Sequence, residues 1–285
     1  MADDALSPAT ADLLITGCDV VCLDVADTVV RDEYDVRHML WRVSNPETIR
    51  LIQDAMADKQ LMIADGHHRY ETALAFRDEK RKQAGTDDAG AFEWLMTTLV
   101  NMDSPDMTIL PTHRVVSNLT AYDPVRFVDR AREYFNVREV GEATQLAARL
   151  EESGASRPTI GMATQGGGPF TVFELRDDCD LTSVLPDLSV RQSQLDVVIL
   201  HRLILGKCLD VTDEDVRGES YLRYVRGLDA AIAEVQEGRA QLCFLLNATR
   251  MEQVRDIALG GEVLPQKSTD FFPKLLSGLT MYSMN

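Results

Sequence analysis

The sequence predicts an α+β protein, with a strand–turn–helix core and further mixed strands and helices. Three observations lead there. Short apolar runs alternate with amphipathic stretches along the chain, and no segment repeats. The stretch "QLMIADGHHRYETALAFRDEKRK" moves from an apolar run through a polar turn into a helical pattern. With 285 residues, 45% of them apolar, the chain can bury one large core or two modest ones, which sets disorder aside.

In order, residues 1–19 are expected to be a flexible N-terminus. "NPETIRLIQDAMADK" opens with Asn45 as cap and Pro46 in the first turn, and sets Ile49, Ile52 and Met56 at helical spacing. "QLMIA" (60–64) reads as a short buried strand. Residues 67–83 form the next helix, with Tyr70, Ala73, Leu74 and Arg77 along one side and "RDEKRK" as its solvated end. Residues 92–102 and 107–117 look like strands flanking a "DSPD" turn. A helix at 123–134, a strand at 135–140, a helix at 142–153 and strands near 158–163 and 170–175 follow. The last two strands are joined by "TQGGGP", a hairpin connection; no helix follows its glycines, which argues against a phosphate loop. Residues 193–205 make a strongly apolar helix, then come "ESYLRYV", "AQLCFLL", a helix at 250–259 and a polar, aromatic tail. The expected parts are 20–118, carrying the turn, and 119–285, with the question of whether they pack as one unit left open.

Charge narrows the function classes. A net charge of -17, from 46 acids and 29 bases, disfavours nonspecific contact with nucleic acid or anionic lipid. Neither nucleic acid nor a membrane is expected as a partner, and a small-molecule substrate or nucleotide at a local basic pocket is. No apolar run approaches the roughly 20 residues of a membrane span, and the acidic start is unlike a basic signal, so a cytoplasmic location is expected. Cys18, Cys22, Cys179, Cys208 and Cys243 are odd in number and scattered, which suits reduced thiols; Cys18 and Cys22 lack a second pair at zinc spacing and read as apolar filler.

The turn at 65–69 offers phosphate chemistry. Gly66 lets backbone amides approach an anion, and a helix start leaves N–H groups unpaired at the positive dipole end. Arg69 can add a bidentate fork, while His67 or His68 can donate hydrogen bonds or move protons near neutral pH. Asp65 could cap the helix, orient a histidine, or hold Mg²⁺ beside phosphates. The plain alternative has Asp65 as a cap only, one histidine in the core, and Arg69 paired with Glu71 or another acid. Shared metal binding by His67 and His68 is disfavoured, since adjacent helical residues point about 100° apart; no metal site is expected.

Elsewhere, His113 and Arg114 in "LPTHR" sit where a turn becomes a strand, placed either to face a ligand or to form a structural pair. Lys267, Ser268 and Thr269 in "PQKST" could hold phosphate oxygens; alternatively the tail is simply packed by Phe271 and Phe272. His38 and His201 read as core histidines satisfied by hydrogen bonds, and Asp196 as a partner or cap in its helix's first turn.

Four motifs in order, "LMIADGHHRYETALAFRDE", "ILPTHRVV", "SQLDVVILHRLIL" and "EVLPQKSTDFFPKLLSGL", resemble the family catalogued as domain of unknown function 1015, from about "YDVRHMLWRV" to the C-terminus. Within that family "DGHHRY" is similar to the phosphate-binding turn of the ParB and sulfiredoxin superfamily, which includes a free-serine kinase and nucleotide-hydrolysing partition proteins. The resemblance implies a ParB/sulfiredoxin-like strand–turn–helix core in part 20–118. It also implies ATP or ADP with Mg²⁺ as cofactor and phosphoryl transfer to a small hydroxyl acceptor such as serine, with Asp65, His67 and His68 as the catalytic candidates. Gly66, His68, Arg69, His113, Arg114, Lys267, Ser268 and Thr269 are the expected phosphate or nucleotide contacts. A noncatalytic nucleotide-sensing module is the alternative, and a phosphatase or hydrolase the third. Two departures stand out: the chain looks N-terminally short for the family, and Gln266 and Asp270 replace a proline and a tyrosine of its tail pattern.

Overall fold

Asn45 starts a helix as its position predicts: its Oδ1 accepts from the backbone N–H groups of Glu47 (2.9 Å) and Thr48 (3.0 Å) ahead of α1 (Pro46–Met56). This computed structural model describes residues 21–22, 28–33, 35, 37–84, 90–105, 107–212, 215, 221–274 and 278–282. The expected flexible N-terminus at 1–19 and the Cys18 reading lie outside them. The chain divides into two units, one running to Thr108 and resuming at Phe271, the other spanning Ile109–Asp270. The architecture is α+β, with a six-stranded antiparallel sheet and two antiparallel strand pairs among the described residues.

In the first unit, β1 (Val21–Cys22) pairs with a short strand at Thr280–Met281, and β2 (Thr28–Arg31) pairs with β3 (Arg37–Leu40), with Val30 opposite His38. His38 is part-buried and its Nε2 lies 2.9 Å from Asp32 Oδ2, as a satisfied histidine should. Helix α2 (His67–Ala84) matches the expected span. Two strand expectations fail. Residues 60–64 form no ladder with any described strand, and Leu61 and Ile63 are 66% and 52% exposed. Residues 92–102 hold a turn of 3₁₀ helix (Ala91–Glu93) and then irregular chain with one isolated bridge residue, Leu99; Trp94 is 58% exposed. An apolar run becomes a strand only where a neighbour accepts its backbone hydrogen bonds, and periodicity does not report that neighbour.

The short strand β4 (Thr108–Ile109) spans the division, and Leu110 and Pro111 separate it from β5 (Thr112–Val116), so the single strand expected at 107–117 is two. In the second unit follow α3 (Pro124–Ala131), β6 (Phe135–Val140), α4 (Ala143–Gly154), β7 (Thr159–Thr164), β8 (Phe170–Leu175), and short helices α5 (Leu181–Val184), α6 (Val190–Ser193) and α7 (Asp196–Ile199). After them come β9 (Leu222–Arg226), α8 (Leu228–Gln236), β10 (Leu242–Leu246) and α9 (Met251–Leu259). Six strands form one antiparallel sheet in the order β6-β8-β7-β10-β5-β9. The β7–β8 connection carries Gly166, Gly167 and Gly168 at φ +86°, +78° and +124°, the left-handed region that makes glycine useful in such a turn.

Alternation along the strands gives the sheet two apolar faces. Val116, Leu242, Phe244 and Leu246 join Phe127 of α3 and Leu200, Leu203 and Ile204 in one buried cluster. Val115, Cys243 and Leu245 join Leu146 and Leu150 of α4 and Ala231, Ile232 and Val235 of α8 in the other. Every member of both clusters belongs to the second unit. Helix α8 has no counterpart in the sequence reading. The helix expected at 193–205 is broken into α6 and α7, and α7 continues as a π-helical segment, Leu200–Cys208. Its wider turns, rare in proteins and frequent at functional sites, change which residues face the sheet relative to a 3.6-residue period.

Candidate functional site

At the turn, Gly66 sits at φ +82°, its N–H is donated to Asp65 Oδ1 (2.9 Å), and its carbonyl accepts the first helical bond, from Tyr70 N–H (3.0 Å). Only glycine holds that backbone without strain. The Arg69 guanidinium folds back over it: a Cβ at Gly66 would lie 2.8 Å from Arg69 Nη2 and 2.9 Å from Nε. Asp65 Oδ2 lies 3.9 Å from Arg69 Nη2 and 3.7 Å from Lys274 Nζ, while His68 Nδ1 is 3.4 Å from Glu71 Oε2. The His67 and His68 rings stand 4.0 Å apart. Asp65, His68 and Arg69 are all more than 60% exposed, so the turn is open to a solute. Neither histidine enters a core, and Arg69 is near Asp65 rather than Glu71.

The second group of expected residues lies in the other unit. His113 and Arg114, adjacent on β5, are each only 2% exposed. The backbone N–H of Leu246 donates to His113 Nδ1 (3.2 Å), which places the imidazole proton on Nε2, an atom without a hydrogen-bond partner among the described residues. Burial, and then the Arg114 charge, lower the His113 pKa to about 4. Arg114 donates from Nη1 to the Thr112 carbonyl and from Nη2 to the Lys267 carbonyl (2.7 Å), and its guanidinium carbon lies 5.3 Å from the Tyr224 ring centroid. Lys267 Nζ stands 5.8 Å from the same ring, and Lys267 itself adopts φ +58°. The Ser268 carbonyl accepts from Thr249 Oγ1 (2.7 Å) and Ser268 Oγ donates to the Pro265 carbonyl (2.6 Å), so the Ser268 hydroxyl is engaged with the tail's own backbone. Thr269 is half-buried.

Residues 21–205 match the family described as "Protein of unknown function (DUF1015)". The chain belongs to that family. The match takes in Asp65–Arg69, His113 and Arg114 and ends before Lys267–Thr269. No curated protein matches this DUF1015 chain. Among solved structures it is similar to a conserved hypothetical protein from Pyrococcus furiosus, at 16% identity, covering 73% of this chain and 68% of that one, with a TM-score of 0.38. It is also similar to a free serine kinase in complex with AMP, at 15% identity, covering 80% and 81%, with a TM-score of 0.38, and to a variant of a free serine kinase with ADP, at 16%, covering 89% and 90%, TM-score 0.38.

Two part-buried groups in this DUF1015 chain have properties that sequence did not supply. His201, expected to be satisfied, has no partner for Nε2 among the described residues, and burial with the Arg114 charge lowers its pKa to about 3. Asp196, expected as a partner or cap, accepts at Oδ2 from Asn247 Nδ2 (3.3 Å); burial raises its pKa to about 7, against the lowering effect of that bond and of the Arg250 charge. Asn247 follows β10, some fifty residues along the chain, so no local pattern announces the pair. Among the described residues no helix is long and apolar enough to cross a membrane.

Proposed function

We propose that the Asp65–Arg69 turn holds the phosphates of a nucleotide, and that the chain is an ATP- or ADP-dependent phosphotransferase acting on a small hydroxyl-bearing metabolite. The observation that supports this is the half-buried, left-handed Gly66 at a solvent-open helix start, with the exposed Arg69 guanidinium laid over it. Helix amides and Arg69 would stabilise charge on a transferred phosphoryl group, and His68 would add a donor. Asp65, the carboxylate of the turn, suits a Mg²⁺ that travels with the nucleotide, because Mg²⁺ commonly takes one or two carboxylates plus phosphates; the ion would supply charge neutralisation. Asp65, His67 or His68 would position the acceptor or accept its proton.

Arg69→Ala should weaken ATP, ADP or inorganic phosphate binding, measured by calorimetry, by about 1.5–3 kcal/mol, the range for hydrogen bonds to charged groups. Unchanged affinity would remove Arg69 from the site. Gly66→Ala should lose binding as well, because its Cβ would meet the guanidinium and its φ is strained for alanine by roughly 1–2 kcal/mol. A noncatalytic nucleotide-sensing role is the second reading, supported by the exposure of Asp65, His68 and Arg69, which leaves water access to any reacting group. Mg²⁺ with ATP or ADP and a pool of free amino acids, serine among them, should yield a phosphorylated product; tight binding without turnover would favour the sensor. Duplex DNA should not bind below micromolar concentration at about 100 mM salt, since counterion release needs clustered bases that a chain of net charge -17 lacks.

A further inference from the structure

We propose that one edge of the Arg114 guanidinium, Nε together with Nη2, binds a small oxyanion, a carboxylate or a phosphate, in the second unit and independently of the turn at 65–69. Arg114 is a cation with 2% exposure whose contacts are two neutral carbonyls and an aromatic ring. No carboxylate lies within ion-pair distance of it among the described residues. A charge held away from water without a counter-charge is unfavourable, so a buried cation with only neutral contacts is suited to receive an anion. The tail acid Asp270 does not fill the role, being engaged by Arg226 Nη2 at 2.7 Å.

The free donors have the geometry of a fork. Nη1 is committed to Thr112, whereas Nε has no partner and Nη2 has only the Lys267 carbonyl. On a planar guanidinium Nε–H and one Nη2–H run parallel on the same edge, the arrangement that takes two oxygens of a carboxylate or phosphate. As described, that edge is closed by Lys267, so an entering oxygen replaces the Lys267 carbonyl on Nη2 and a second one satisfies Nε. The exchange substitutes a charged acceptor for a neutral one, and charge-assisted bonds are roughly twice as strong.

The surroundings favour an anion. Lys267, exposed and without an acidic partner among the described residues, brings its Nζ to the same Tyr224 ring. Arg114 shares a sheet face with Val116, and Val116 packs with Leu200, Leu203 and Ile204 of the π-helical segment. His201 of that segment also carries an Nε2 without a hydrogen-bond partner among the described residues, and the Arg114 charge is one of the causes that lower its pKa.

The test is an NMR titration of the full chain with acetate and, separately, inorganic phosphate at constant ionic strength, following the Arg114 Nε–H and His201 side-chain resonances. Saturable shifts of both are expected, and the anion that saturates first identifies carboxylate or phosphate as the ligand chemistry. Arg114→Lys, which keeps the charge and loses the fork, should weaken binding roughly ten- to a hundred-fold. Arg69→Ala should leave the shifts unchanged. An Arg114 Nε–H resonance that stays put or drifts linearly in the folded wild type overturns the proposal, whether or not the lysine variant folds. Shifts abolished by Arg69→Ala also overturn it, and would place the anion at the turn, leaving the phosphate-binding reading intact.

Discussion

Asp196→Asn is expected to stabilise the protein at pH 8 and to leave it no more stable than wild type at pH 4. The carboxyl titrates near 7 in the folded chain and near its ordinary value of 3.8 when unfolded. A raised folded pKa means that the folded state holds the proton more tightly, so the contribution is fully present below 3.8 and is lost as pH rises through about 7. At about 1.36 kcal/mol per pH unit the full displacement would be worth roughly 4 kcal/mol, and partial exposure of the residue scales this to roughly 2–3 kcal/mol. Asparagine never ionises and can still accept from Asn247, though it loses one of the backbone bonds that a carboxylate's second oxygen accepts. Urea unfolding across pH 4–9 checks this. A constant difference between variant and wild type would show that Asp196 titrates normally.

The second expected result is on the acid side. His201→Gln should flatten the loss of stability between pH 6.5 and pH 4. His201 falls from an ordinary 6.5 to about 3 on folding, so its contribution is present above 6.5 and is lost as pH falls toward 3. By pH 4 the linkage amounts to roughly 3 kcal/mol at about 1.36 kcal/mol per unit, less a discount for partial exposure. His113, held near 4, contributes in the same direction, so the variant should retain a shallower acid slope rather than none. The same unfolding series reads it: a variant that loses stability between pH 6.5 and 4 as steeply as wild type would mean that His201 does not stay neutral on folding. Together the two limbs predict greatest stability at about pH 6.5–7, where the histidines of the unfolded chain are giving up their protons and folded Asp196 still holds much of its own.

Local chemistry made much of this protein readable. Asn45–Pro46, the apolar spacing of α1 and α2, strands β6, β7 and β8 and the glycine connection between the last two depend on residues within a few positions of each other, and all lie close to where the sequence puts them. The turn at 65–69 was readable for the same reason, since a glycine at positive φ followed by a helix start is a short-range event. Residues 60–64 and 92–102 depart from the strands that their apolar runs suggest, because strand formation is settled by a partner that the run itself does not specify. The charge on Arg114, the orphaned nitrogens of His113 and His201, and the raised carboxyl of Asp196 arise where β5, β10, the π-helical segment and the 264–270 tail meet, from chain positions as far apart as Arg114 and Lys267. Hydrogen-bond order along a chain is local and therefore written in sequence, whereas burial of a charge and its supply of partners depend on which distant segments pack together, and only the tertiary structure decides that.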